Sequence, residues 1–85
     1  MFQVTWSRRA INQLAVIWMN ATDQNSVSAA SHAIGAALAS DPENEGESRP
    51  NSRRVMYASP LGVRYRVYPG ETRVRVLVCW QIRQV

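Results

Sequence analysis

The chain contains no lysine, and all ten of its positive side chains are arginine. Each cation is therefore a planar, permanently charged fork, and none can act as a general base near neutrality. There is one cysteine, Cys79. That excludes an intrachain disulfide and any multi-cysteine zinc site, and it fits a reducing, cytoplasmic compartment. His32 is the only histidine. No glycine-rich loop could cradle a phosphate. The acids gather mainly between Asp41 and Glu47, where a solvated charge run describes them better than a metal site, so neither metal nor cofactor is expected. No apolar run approaches the ~20 residues needed to span a bilayer. The start of the chain also lacks the basic region and apolar stretch of a secretion signal.

What is present is unevenly placed. From Ser48 to Val85 there are eight arginines against the single carboxylate of Glu71, a surplus of seven. Before Ser48, Arg8 and Arg9 face five acids, a deficit of three, and the whole chain carries +4. A basic surface of this kind attracts polyanions, which points to RNA or DNA as the partner class. At 85 residues with 46% hydrophobic content, residues 1–85 read as one domain with one core, two layers thick.

Phe2, Val4 and Trp6 alternate with Gln3 and Thr5, the period of a half-buried strand. Ser7 offers an N-cap to a helix whose stripe is Ile11, Leu14, Ala15 and Trp18. After a break at Asn20–Asp23, a second helix is predicted from Gln24 to Ser40, with Val27, Ala30, Ile34, Ala37 and Leu38 inward and His32 on the opposite, exposed side. So short a connection makes the two helices antiparallel. Asp41 to Asn51 reads as a loop in which nothing apolar demands burial. Strands follow at about Ser52–Ala58, Val63–Tyr68 and Thr72–Trp80, punctuated by Pro60-Leu61-Gly62 and Pro69-Gly70.

The last hairpin can be read for register. A loop with an even number of residues puts Val63, Val67, Val74, Val76 and Val78 on one face and Arg64, Arg66, Arg73 and Arg75 on the other. An odd loop would set arginine opposite valine on both faces. Pro69-Gly70 suits a type II turn inside a four-residue loop, Pro69 to Thr72. The arginines would then form a two-by-two grid, with Tyr68 and Cys79 on the same face and Tyr65 in the core. Neighbouring guanidinium groups ~5 Å apart repel by somewhat under ~1 kcal/mol in bulk water. The face must splay into solvent, be neutralised by the acidic loop, or be kept for a polyanion.

Three segments now resemble a known family: Phe2-Gln-Val-Thr-Trp-Ser-Arg-Arg-Ala, Leu38-Ala-Ser-Asp-Pro-Glu-Asn and Pro60-Leu-Gly-Val-Arg-Tyr-Arg-Val-Tyr. The last looks like a strand with a glycine, an arginine two residues on, and then a tyrosine. With the closing strand Val74 to Arg83, their order is similar to the RelE/ParE superfamily of type II toxin–antitoxin toxins, the plasmid stabilisation family. The resemblance implies an α+β fold: an N-terminal strand, an antiparallel helix hairpin, then a three-stranded antiparallel sheet that the first strand joins.

It also implies a toxin held silent by a cognate antitoxin, for which Val16 and Ile17 on the first helix offer either a groove or simply a broader core face. Its targets would be the ribosome and mRNA, cut by a metal-independent endoribonuclease. The alternatives are a ParE-type inhibitor of DNA gyrase, or a non-enzymatic module binding nucleic acid or an acidic peptide. Arg64 matches the arginine that contacts the scissile phosphate, and Arg83 falls near the family's second functional arginine. Positions 55 and 57, lysines in the mRNA-cleaving type member, are Val55 and Tyr57 here, and the C-terminal segment that carries that branch's tyrosine is absent. The candidate catalytic set is thus Arg64, Tyr57, Tyr68 and Arg83, with Arg53, Arg54, Arg66, Arg73 and Arg75 as nucleic-acid contacts.

Overall fold

The computed structural model describes residues 1–82. The predicted strand at the start is β1 (Gln3–Trp6), and the helix hairpin is α1 (Arg8–Asn20) and α2 (Gln24–Ser40). Four strands follow: β2 (Glu47–Arg49), β3 (Arg53–Ala58), β4 (Leu61–Tyr68) and β5 (Arg73–Gln81). They form one mixed sheet in the order β1-β5-β4-β3-β2. β1 lies parallel to β5, and the other neighbours are antiparallel. Both helices pack on one face, so the layers are the expected two and the class is α+β. None of the helices among the described residues is long and apolar enough to cross a membrane.

Ser7 caps α1 as predicted, its hydroxyl accepting from the Ala10 N–H at 3.0 Å. The inward stripe differs from the expected one. Ala10 is fully buried and Leu14 and Ile17 are half-buried against the core, whereas Ile11 and Trp18 are exposed. α1 is apolar on several sides, so periodicity alone could not choose its face. The small Ala10 and the polar Gln13 choose it, as shown below. α2 follows its prediction: Val27, Ala30, Ile34 and Leu38 are buried, and Ala37 packs beside them. Asp23 caps its start, accepting from the Ser26 N–H and hydroxyl. Those bonds hold its carboxyl below the usual value.

The loop after α2 departs from expectation. Pro42 is fully buried, and Glu47–Arg49 pairs with β3 as a fourth C-terminal strand. Tyr65, buried as predicted, explains this. Its hydroxyl lies 2.6 Å from the Glu45 carbonyl and 2.9 Å from that of Pro42, and it donates to both. Arg54 donates from Nε to Glu45 O at 2.9 Å and from a terminal nitrogen to Gly46 O at 3.2 Å. A buried phenol and a half-buried guanidinium both need acceptors, and this loop's carbonyls supply them. Gly46 has φ +66°, and a Cβ there would strike the Val55 carbonyl, so the bend requires glycine.

The β4–β5 loop has the predicted length and parity. Tyr68 pairs with Arg73, Val67 with Val74, Arg66 with Arg75 and Tyr65 with Val76. Its turn is not type II. Pro69–Glu71 makes a single 3₁₀ turn, and Thr72, not Gly70, takes the left-handed conformation at φ 51°. Beyond Tyr65 the register shifts by one residue, so that Arg64 faces Val78, Val63 faces Cys79 and Gly62 faces Trp80. Leu77 is the extra residue of a β-bulge. Val63, Val74 and Val76 are buried as expected. Val78 instead lies beside Arg64, and Cys79 turns into the core, 2% exposed, where burial pushes its thiol up to about 11.

α1 holds this bulge in place. The Ser7 hydroxyl donates to the Leu77 carbonyl at 3.0 Å, the Ser7 N–H to the Val76 carbonyl at 2.8 Å, and the Cys79 N–H to the Gln13 side-chain oxygen at 2.9 Å. Backbone groups that the bulge withdraws from the ladder thus find partners on the helix.

Replacing Gln13 by Leu should strand the Cys79 N–H and cost about 1–3 kcal/mol. A urea midpoint equal to that of the wild type would refute the clamp. Burial raises the Tyr65 pKa above the ordinary tyrosine value of about 10. Its contribution to stability should be complete below that value and fall as pH rises through the native one. Alkaline unfolding of Tyr65→Phe should lack that component.

Candidate nucleic-acid interface

Directly paired residues share a face of the sheet, so the side away from the helices reads as rows across the strands. One row runs Arg49, Arg53, Arg66, Arg75 and ends at Thr5 on β1. At about 4.8 Å between strands, four guanidinium stems stand side by side across four strands. The next row is Glu47, Val55, Arg64, Val78, and the one beyond it Tyr57, Gly62, Trp80. On the other flank, Tyr68 faces Arg73.

The arginines therefore make a line with outliers, not the expected two-by-two grid. Only Arg66 and Arg75 of the predicted four are direct cross-strand partners, because Arg73 meets Tyr68 and the bulge sets Arg64 opposite Val78. Arg64 is exposed, and Arg53, Arg66, Arg73 and Arg75 are half-buried. Arg54 points to the helix side, holding the Glu45–Gly46 carbonyls. Arg83 lies outside the described residues.

The acidic loop does little to neutralise this face. Among the described residues the ion pairs are Arg49 with Glu47 at 3.2 Å and Arg73 with Glu71 at 3.4 Å, both exposed enough to contribute little. Arg53, Arg64, Arg66 and Arg75 meet no carboxylate there. Like-charge crowding is relieved partly by Tyr68, whose ring lies 5.0 Å from the Arg66 guanidinium and 4.5 Å from that of Arg73.

The candidate proton carriers separate in space. Tyr68 is four residues from Arg64 along β4, ~13 Å in an extended strand. Tyr57 is its diagonal neighbour on β3, about 7–8 Å away at the backbone, and is 57% exposed. His32 is exposed on α2, on the helix side of the molecule. Among the described residues no three histidine, cysteine, aspartate or glutamate side chains come together to hold a metal.

A hollow of about 510 Å³ opens on this face, lined by Arg49, Arg53 and Arg64 with Val55, Trp80 and the Pro50–Asn51 turn. Trp80 owes its place there to Gly62. A Cβ on Gly62 would lie 2.6–2.8 Å from three atoms of the indole, Cε2, Nε1 and Cζ2. Near-equal distances mean that the ring lies face-down on the β4 backbone, which only glycine permits. The Tyr57 ring meets it edge-on, 6.1 Å between centroids and 80° between planes.

Trp80 and Arg49 escape the sequence reading, which places Gly62 in a turn and in the family motif but sets no ring on it. Trp80 shares parity with Val74 and Val76, which assigns it to the core until the bulge reverses it. Apolar hollows flank α1, two of them beside its exposed side chains. One, about 450 Å³, includes Ile11, Ala15, Trp18 and Met19; the other, about 380 Å³, includes Val16, Ile17 and Trp80.

The architecture can be compared with solved structures. The toxin–antitoxin complex RelBE2 from Mycobacterium tuberculosis matches with a TM-score of 0.77 at 16% identity, over 94% of this chain and 90% of that one. The isolated E. coli RelE toxin gives 0.70 at 11% identity, over 100% of this chain and 88% of that one. The chromosomal ParDE system from P. aeruginosa gives 0.67 at 16% identity, over 98% of both chains. The fold is that of the RelE and ParE toxins. No family model matches the sequence, and no curated protein matches it significantly.

On this RelE/ParE fold Val55 lines the arginine hollow, 7% exposed, and Tyr57 lies outside the lining, edge-on to Trp80. Three arginines, Trp80 and the Pro50–Asn51 turn thus meet a ligand there, with Tyr57 adjoining through Trp80. Gly62→Ala should displace the indole. In a background with Trp6 and Trp18 changed to Phe, the emission of Trp80 should shift. An unchanged spectrum would mean that the ring does not rest on β4.

Proposed function

We propose that the protein, as one domain of residues 1–85, is the toxin of a type II toxin–antitoxin pair that stops growth by ribosome-dependent cleavage of mRNA in the cytoplasm. The observation that carries this reading is Arg64: exposed, without a carboxylate partner among the described residues, and beside a row of four arginines on a RelE/ParE fold. Cleavage of RNA by its own 2′-hydroxyl forms a bond from that oxygen to phosphorus and breaks the bond to the 5′-oxygen. One proton leaves the nucleophile, one reaches the leaving group, and charge builds on the phosphoryl oxygens. Fixed guanidinium groups stabilise that charge without a metal. Tyr57, the diagonal neighbour of Arg64, is the nearer of the two tyrosine candidates to carry a proton.

A cognate antitoxin would cover α1. Ile11 is 53% exposed, Val16 52% and Met19 64%, an apolar surface larger than a lone stripe needs. Arg64 and this helix lie on opposite faces of the sheet, so Arg64 substitutions should separate their roles, whereas Trp80 lines the hollow beside Val16 and Ile17 as well as the arginine hollow.

Induced expression with primer-extension mapping of transcripts is the test. Wild-type protein should cut transcripts and arrest growth. Arg64→Ala should lose ~10²–10³ in cleavage rate while keeping its thermal midpoint and its antitoxin complex. Growth arrest with intact transcripts and a DNA damage response would favour gyrase inhibition, the reading suggested by Val55 and Tyr57 in place of lysines. Normal growth would leave a non-enzymatic binder of nucleic acid or an acidic peptide.

A further inference from the structure

The hollow beside Arg64 holds a feature that phosphate binding does not need. Trp80 lies flat on Gly62, so one indole face is against the backbone and the ring also lines the hollow shared with Arg49, Arg53 and Arg64. Tyr57 braces it edge-on. Aromatic rings on an open sheet face tend to collapse inward, yet here a glycine and a bulge together place the largest side chain type outward beside cations. The Trp80 row is separated from the Arg64 row by two residues along β4, about 7 Å. That is the scale of one nucleotide, with its phosphate on the arginine and its base on the ring.

We infer that Trp80, braced by Tyr57, is a stacking platform for one unpaired nucleobase of a single-stranded RNA whose phosphates run onto Arg64 and the Arg53–Arg66–Arg75 row. This rests on the RNA-directed reading above and adds to it a substrate form. A base held face to face with indole must have left its helix, so the site selects single strands over duplexes. The arginine row supplies affinity without sequence, and the platform supplies the requirement for a base.

The test uses the full chain with Trp6 and Trp18 changed to Phe, so that Trp80 alone reports. The probes are a 2′-O-methyl hexaadenylate, which has no nucleophile and stays whole, a blunt G·C-rich 2′-O-methyl RNA duplex that stays paired at low salt, and an abasic hexamer carrying the same phosphates. Hexaadenylate should quench Trp80 and bind more tightly than either control, with affinity falling as salt rises through counterion release. In the otherwise wild-type chain, Trp80→Leu should weaken hexaadenylate binding about 5- to 150-fold and leave abasic binding unchanged, the range of one stacked base. Trp80→Phe should recover part of the loss. Tyr57→Ala, at an exposed position that threatens no core contact, should weaken binding in the same base-dependent way.

Equal binding of hexaadenylate and the abasic strand, unaffected by Trp80→Leu, would overturn the platform while leaving an RNA-directed arginine face. Transcripts cut in cells at the wild-type rate by Trp80→Leu would overturn it as well. Absence of binding by any probe at low salt, together with uncut transcripts in cells, would overturn both the platform and the proposed function.

Discussion

One residue too many in β5 organises this molecule. If the last strand ran without interruption, the register set at the Pro69–Thr72 loop would carry Val78 and Trp80 into the core and leave Cys79 among the arginines. The bulge at Leu77 reverses that parity, and three hydrogen bonds from the first helix sustain it: two from Ser7 and one to Gln13. A bulge on its own forfeits ladder bonds. Here the lost partners are restored by a helix cap and an amide, so the same contacts that seat α1 on the sheet also decide which side chains reach the open face. The core gains a small thiol, and the arginine hollow gains an indole.

The open face is maintained against electrostatics. Four arginines in a row on adjacent strands repel one another, and among the described residues a single carboxylate, that of Glu47, pairs with the row. The backbone carbonyl of Glu45 holds Tyr65 and Arg54 on the helix side, the Asp41 carboxylate accepts from Asn44, and Glu47 meets the row at Arg49. Loop 41–46 is thereby tied to the far side of the sheet by a buried phenol and cannot fold over the cations. Stability is supplied by the helix-side core of Val27, Ile34, Leu38, Leu61, Val63, Tyr65, Val74 and Val76. That division leaves the opposite face free for an anionic ligand.

The first helix shows how an ambiguous sequence is settled by contact. Its apolar residues fill most of the circumference, and hydrophobic spacing admits several stripes. The chosen one, through Ala10, Leu14 and Ile17, includes the polar Gln13 because that amide is needed at the bulge. Ile11, Val16, Trp18 and Met19 are left outside as a consequence. The second helix, with a narrower stripe, had no such freedom, and its buried residues were readable in advance.

Length, alternation and turn residues in the sequence determined the order of the elements other than β2, the span of α2, the Ser7 cap of α1, the parity of the β4–β5 loop and the concentration of arginine on one face. All of these are local: they depend on residues a turn or a hairpin apart, where periodicity and steric preference decide. Tertiary structure alone decided the short strand β2, the burial of Pro42, the turning of Arg54 to the helix side and the outward setting of Trp80 over Gly62. Each rests on a partner distant in the chain: Tyr65 for the loop after α2, and Ser7 and Gln13 for the bulge. A buried hydroxyl or a freed N–H takes whichever acceptor or donor the packed layers bring to it, and no spacing along the sequence records that choice.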